Sequence, residues 1–290
     1  MSTDVSIDTL IQNAQKLPPS PEILPKLLNI IQDENATADA IADVIQLDPV
    51  LMAQVLTLSN SVHYGFSTAS ENIGVAISRI GLGEVYRLVG FLVAKRLATE
   101  TVSAYYLNES ELWENSIASA LAMESLAEFT EEHSTIAYTT GLLHAIGKLV
   151  INQLPGKRYE EIYKKIDDNN ITLPEAEAAV FGFDHGQIGE ALLNKWNFPA
   201  SITVPIAHQF RPLRAPTHKN MSCMLHLANW IVACLGKNPG LHSWAMDMQT
   251  PAMEYITLKE SDLQKILIDV ETNIRIVKEL LSANKAQATA

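Results

Sequence analysis

An all-α, two-lobed helical bundle is the fold this sequence predicts, on three observations. Gly and Pro account for only 13 residues each in a chain of 290, and the stretches between them run long and rich in Leu and Ala. Nearly all of those stretches repeat apolar residues at helical spacing. Nothing beyond a short alternation supports a strand, and no internal repeat is visible.

The elements follow in order. Ser20-Pro21-Glu22 sets a capping residue before a Pro at the first helical position, and Ile23, Leu24, Leu27, Leu28 and Ile31 then share a face. A second helix follows Thr37, with Ile41, Val44 and Ile45 inward. Asp48-Pro49 repeats the cap-plus-Pro signal ahead of Leu51, Met52, Val55, Leu56 and Leu58, and that helix stops near Asn60-Ser61. Asn72 caps Ile73 to Ile80, Gly81-Leu82-Gly83 interrupts, and Glu84 to about Thr99 continues helically. Asn108 with Glu111 three residues on reads as a capping box before Trp113, Ile117, Leu121 and Leu126. Ser134 is expected to cap a helix through Ile151; its Gly141 and Gly147 each cost roughly 1 kcal/mol against Ala in an exposed helix, so close backbone packing is the expected return. Further helices are predicted over 156–168, 173–180, 184–196, 200–208, 218–236 and 259–283, with the last nine residues a frayed tail. The new start at Asn108 divides the chain into an N-terminal lobe, 1–107, and a second lobe, 108–290.

Composition and charge exclude several classes. With 47% apolar and 19% charged residues, the chain is neither disordered nor low in complexity. Thirty-three acidic against 21 basic residues leave −12, divided as −5 over 1–107 and −7 over 108–290. Neither lobe is a basic module, so no nucleic-acid partner is expected. Cys223 and Cys234 lie eleven apart on one predicted helix, about 16 Å along its axis, too far for a disulfide within it. Asp4 and Asp8 near the N-terminus, and the lack of any apolar run of about 18 residues, predict a cytoplasmic protein with no membrane association.

Chemistry is sparse at the level of spacing. Eight histidines are present, His63, His133, His144, His185, His208, His218, His226 and His242, with no His-Glu-x-x-His, no Cys-x-x-Cys and no His pair at i, i+4. His144 falls mid-helix with Lys148 one turn on. Asp184-His185 suits a helix cap. His208, Arg211, Arg214, His218 and Lys219 form the one basic stretch, read as an extended surface loop with Pro212 and Pro216, either simply solvated or an anion or partner contact. Nucleophile elbows and phosphate-cradling Gly loops are missing.

Two runs carry a resemblance. Leu47-Asp48-Pro49-Val50-Leu51-Met52-Ala53-Gln54-Val55-Leu56 leads into Ser59-Asn60-Ser61, then Ile73-Gly74-Val75-Ala76-Ile77 and Ile80-Gly81. With Leu17-Pro18 upstream and Gly141-Leu142-Leu143-His144-Ala145-Ile146-Gly147-Lys148 downstream, this resembles the HDOD domain from about Leu17 to Arg211. Residues 212–290 match loosely, as a helical extension. HDOD domains resemble the HD metal-dependent phosphohydrolases, whose ligand pattern is His, then His-Asp, then a distant Asp. By that resemblance the first His falls at Asn115, the His-Asp pair becomes His144-Ala145, and the final Asp becomes Asn229. The cyclic-dinucleotide-cleaving relatives add a His and a His-His pair; His185 and His208 match, but Gln209 stands at the second of the pair, and Lys148 matches their phosphate-facing lysine.

Activating water on a divalent ion needs anionic and imidazole ligands, and two neutral amides and a methyl do not supply them. The resemblance therefore implies no catalytic residues, metal or cofactor. It implies a bacterial regulatory protein acting by protein–protein contacts in trans with a histidine kinase, a response regulator or a cyclic-dinucleotide enzyme. The alternative is a degenerate phosphohydrolase or a nucleotide or cyclic-dinucleotide receptor that uses the remnant cleft of Asn115, His144, Ala145, Lys148, His185, His208 and Asn229, with His144, His185 and His208 as a residual zinc set if the fold gathers them.

Overall fold

The structure, a computed structural model, describes residues 6–13, 21–33, 35–98, 101–154, 157–237, 240 and 249–288. Its helices are α1 Ile7–Asn13, α2 Ile23–Ile31, α3 Ala38–Gln46, α4 Pro49–Ser59, α5 Ile73–Ile80, α6 Leu82–Leu97, α7 Glu109–Ala127 and α8 Ser134–Leu143. They continue as α9 Gly147–Ile151, α10 Lys157–Asn169, α11 Leu173–Phe181, α12 His185–Lys195, α13 Ala200–His208, α14 Lys219–Cys234, α15 Thr250–Tyr255 and α16 Glu260–Ala288. Short 3-10 turns occupy Val62–Tyr64, Ser103–Tyr105 and Pro212–Arg214. Among the described residues the only β pairing is one isolated bridge, Val102 to Leu107, and no helix is long and apolar enough to cross a membrane.

Contacts group the chain into two compact units, one of Met1–Pro19 with Leu97–Val270 and one of Ser20–Arg96 with Glu271–Ala290. The sequence reading placed the division near 108. The larger unit takes up the chain from Leu97, and Ala104 is tied there through its backbone: its N–H donates to Asn152 Oδ1 at 3.0 Å, and its carbonyl accepts from the Tyr163 hydroxyl at 2.9 Å.

The smaller unit is built on local capping. Thr37 Oγ1 accepts from Ala40 N–H at 3.2 Å, Asp48 Oδ1 from Leu51 N–H at 2.9 Å and Asn72 Oδ1 from Val75 N–H at 3.1 Å, each satisfying a first-turn donor that the helix itself leaves unpaired. Arg96 pairs with the Asp48 carboxylate and holds it below the usual carboxylate range. Asn60, closing α4, grips the main chain of Ser70 through both its amide atoms at 2.8 Å. Leu24, Leu28, Ile45, Leu51, Val55, Ile77 and Leu88 form the dry core beneath. One start differs from expectation: α2 opens at Ile23 with Glu22 before it, while Pro21 lies outside the helix and its carbonyl accepts from Leu24 N–H at 3.0 Å. Ser20, the expected cap, falls outside the described residues.

In the larger unit the helix expected over 134–151 is two helices. α8 ends at Leu143 and α9 begins at Gly147, with bonds of the tighter i→i−3 kind, Ile146 N–H to Leu143 O and Lys148 N–H to Ala145 O, both 3.0 Å. The break frees the His144 carbonyl, which accepts from Gln209 Nε2 at 3.1 Å. The cap of α8 is His133, whose Nδ1 accepts from Thr135 N–H at 3.2 Å, rather than Ser134. The close approaches expected at the glycines are present: a Cβ on Gly141 would lie 2.4 Å from Ser119 O, and one on Gly147 1.9 Å from His185 O.

Pro205 lies inside α13, within the helix expected over 200–208. Two further segments differ from expectation. Residues 211–215 are a folded turn, not an extended loop, because Pro212 and Ala215 are buried. α16 runs to Ala288, through most of the tail expected to fray. The short helices α1 and α15 had no clear signal in the sequence.

Candidate functional site

The remnant cleft lies wholly in the larger unit. α7 carries Asn115, the α8–α9 junction His144 and Ala145, α9 Lys148, α12 His185, α13 His208, and α14 Asn229.

Beside His185 and Lys148 is a carboxylate that the sequence reading missed. Glu177, on α11, is completely buried. Its Oε1 accepts from the Tyr105 hydroxyl at 2.6 Å, and its Oε2 from both the main-chain N–H and the Nδ1–H of His185 at 2.8 Å each. Burial alone would push this carboxyl up, but the His185 charge and the bonds from His185 and Tyr105 outweigh it and hold it below the ordinary value. Lys148 is equally buried, with Nζ 4.9 Å from the Tyr105 ring centroid. Burial lowers its ammonium to about 8, against the upward pull of Glu177. The Tyr105 phenol is pushed far up, by burial first and by Glu177 next. The His185 ring meets Phe210 edge-on at 5.0 Å. A signal for Glu177 did exist: with Leu173, Ala176 and Phe181 it completes an i, i+3, i+4, i+8 stripe, so it occupies a core position.

His144 is buried with Nδ1 2.7 Å from Gly141 O. Burial depresses its imidazole to about 3, opposed by the Gly141 bond and reinforced by Lys148 and His185, so the ring is neutral. Around it the sites that match HD ligands are linked by the protein's own hydrogen bonds. Gln209 donates to the carbonyls of His144 and Ile206 and accepts from Asn229 Nδ2 at 2.9 Å. His226 Nδ1–H donates to Gln209 O at 2.9 Å, and its Nε2 accepts from Gln249 N–H at 3.1 Å. Asn115 Nδ2 donates to Lys237 O at 2.9 Å. The amide oxygens of Asn115 and Asn229 are buried with no partner among the described residues.

The structure therefore brings His144, Lys148 and His185 within electrostatic reach of one another and links His144 to Asn229 through Gln209. His208 does not join them: it is half-buried, its Nδ1 is 3.0 Å from Val204 O, and its charged neighbour is Glu190. Among the described residues no three of His, Cys, Asp and Glu are arranged to hold a metal ion. The donors at the HD positions are one imidazole and two neutral amide oxygens, beside the methyl of Ala145. That set does not fit a divalent ion, which is held by three or more imidazole, thiolate or carboxylate ligands, because it supplies only one of them.

A pH dependence follows from His144. Its folded pKa, about 3, lies below the ordinary 6.5, so the unfolded chain takes up a proton that the folded chain refuses, and stability falls with pH from 6.5 towards 3. Between pH 6.5 and 4.5 the loss is about 2–3 kcal/mol from this residue; below 4.5 the depressed Glu177 carboxyl adds to it with the same sign. Urea midpoints at pH 7, 6 and 5 should fall in the wild type and flatten in His144→Gln; an undiminished slope in the variant would reject the assignment.

Comparison with known proteins places this geometry. A protein of Treponema pallidum (strain Nichols), of no stated function, is 24% identical over 284 residues, covering 96% of this chain. The chain spans about half (52%) of that relative's length. Among solved structures, a candidate signal transduction protein from Marinobacter aquaeolei VT8 superposes with a TM-score of 0.73 at 23% identity, over 95% of this chain and 61% of that one. An HDOD domain protein of unknown function from Geobacter sulfurreducens gives 0.67 at 22% identity over 96% and 98% of the two chains. A candidate phosphohydrolase from Shewanella amazonensis SB2B gives 0.65 at 25% identity over 91% and 93%. The first two likenesses concern the fold. The HDOD domain pattern itself matches residues 17–212, and the chain belongs to the HDOD family.

Proposed function

We propose that this chain is a non-enzymatic regulatory protein of bacterial signal transduction that works through protein–protein contacts. The observation that carries the reading is the state of the HD positions: Asn115, Ala145 and Asn229 offer no anionic ligand, and the Nδ2 groups of the two amides are held by Lys237 O and Gln209 Oε1. The partners expected are signalling proteins, a histidine kinase, a response regulator or a cyclic-dinucleotide enzyme. The likeness to a candidate signal transduction protein agrees with this.

A phosphate-binding cleft is the weaker reading. Lys148, its natural cation, is buried and already faces the Glu177 carboxylate and the Tyr105 ring. The test is turnover of a nucleotide and cyclic-dinucleotide panel with Mg²⁺, Mn²⁺ or Zn²⁺ added, the His144→Ala variant serving as background. No rate above that background is expected. Turnover that disappears in His144→Ala would overturn the reading, and calorimetry with the same panel is expected to show no binding at high micromolar concentrations.

A further inference from the structure

Between Glu190 and Asp247 the sequence has no carboxylate side chain, while Lys195, Arg211, Arg214, Lys219 and Lys237 add five positive charges to a chain of net −12. Lys237 is spent on Glu114 at 3.5 Å. Arg211, Arg214, His218 and Lys219 crowd into nine residues, and among the described residues none of the four has an ion-pair partner within 4.0 Å. The carboxylate that senses Arg211, Glu175, is taken by the Thr172 main-chain N–H and hydroxyl at 2.9 Å each.

These cations are held on a rigid support. Pro212 and Ala215 are buried, and Arg214 N–H to Arg211 O (2.9 Å) and Ala215 N–H to Pro212 O (3.1 Å) close the turn between them. His218, in the left-handed region at φ +51°, starts α14 without capping it through its side chain, while its carbonyl accepts from the Ser222 N–H and hydroxyl at 3.0 Å. The positive end of a 16-residue helix thus adds to the charge of the side chains. Between the two arginines Leu213 stands 37% exposed. Charge-assisted bonds from fixed donors are strong and directional, and a fixed turn loses little entropy on binding.

We propose that residues 211–219 are a docking surface for an acidic segment of a partner protein, its carboxylates meeting Arg211, Arg214 and Lys219 and an apolar side chain covering Leu213. The proposal rests on the regulatory reading and gives its partner a chemistry. A nucleic acid is disfavoured, since a phosphate backbone calls for a broader basic face than four residues on an acidic protein provide.

The test titrates the full chain, at low salt, against a short fluorescein-labelled peptide of repeated Glu-Glu-Leu triplets and against a labelled oligothymidylate of equal length, read by anisotropy. The peptide should bind, and added salt should weaken it. Arg211→Glu/Arg214→Glu should weaken it by about tenfold or more, whereas the equal charge change Lys164→Glu/Lys165→Glu on α10 should change it by less than about twofold. Matching thermal midpoints check folding, and the milder Arg214→Gln/Lys219→Gln is the second variant, expected to weaken binding by several-fold. No binding, equal binding by the Arg211/Arg214 variant, or tighter binding of the oligothymidylate than of the peptide overturns the proposal. None of these results depends on nucleotide turnover, so this surface and the non-enzymatic reading fail separately.

Discussion

Glu177→Ala lowers the unfolding free energy by about 3–5 kcal/mol, the range for removing one partner from a buried charge pair. The substitution strips three hydrogen bonds at once, from the Tyr105 hydroxyl and from the main-chain and ring nitrogens of His185. It also leaves Lys148 buried without the carboxylate that supports its charge, so the ammonium should titrate lower still than about 8. The double variant Glu177→Gln/Lys148→Met should recover part of the loss, because replacing both ions by neutral groups of similar volume removes the desolvation cost along with the attraction. Chemical denaturation of the wild type, Glu177→Gln, Lys148→Met and the double gives the coupling. If Glu177→Ala unfolds within about 1 kcal/mol of the wild type, Glu177 is not the centre of this network.

What was legible in the sequence was local. The caps at Thr37, Asp48, Asn72, Asn108 and Asp184 were readable because a cap and the N–H it accepts from lie two or three residues apart, and the structure has each of them. The packing glycines were readable too, since an interior Gly carries a cost that only close approach returns. The break at His144–Ile146 was not, because its partner, Gln209, is 65 residues away and the nearby Gly141 and Gly147 read equally well as packing positions within one helix. The same holds for the site. Family resemblance supplied His144, Lys148 and His185, but Glu177 lies outside the ligand pattern and was passed over. His133 took the cap from Ser134 for a related reason: an imidazole nitrogen can accept from a first-turn N–H, but His is not among the residues that announce a helix start.

Gly147→Ala is the other large effect, and it separates packing from chemistry in the Gly-Lys run. The added Cβ would lie 1.9 Å from His185 O, 2.8 Å from Gly189 N and 2.9 Å from His185 C. All three atoms are backbone, so no side chain can rotate away, and α9 and α12 must move apart. That movement carries Lys148 away from Tyr105 and His185 away from Glu177, so the clash and the loss of the polar network add. The expected cost is about 3 kcal/mol or more, a drop in melting temperature of several degrees. Gly83→Ala in α6 is the matched control, for its Cβ meets nothing within 4 Å. There the helix gains, by up to about 1 kcal/mol. If Gly147→Ala melts as the wild type does, the α9–α12 approach is looser than described, and the buried network loses its frame. If it is destabilised while the acidic-peptide affinity is kept at a temperature where it remains folded, the glycine serves packing alone and the contact surface at 211–219 works independently of the old cleft.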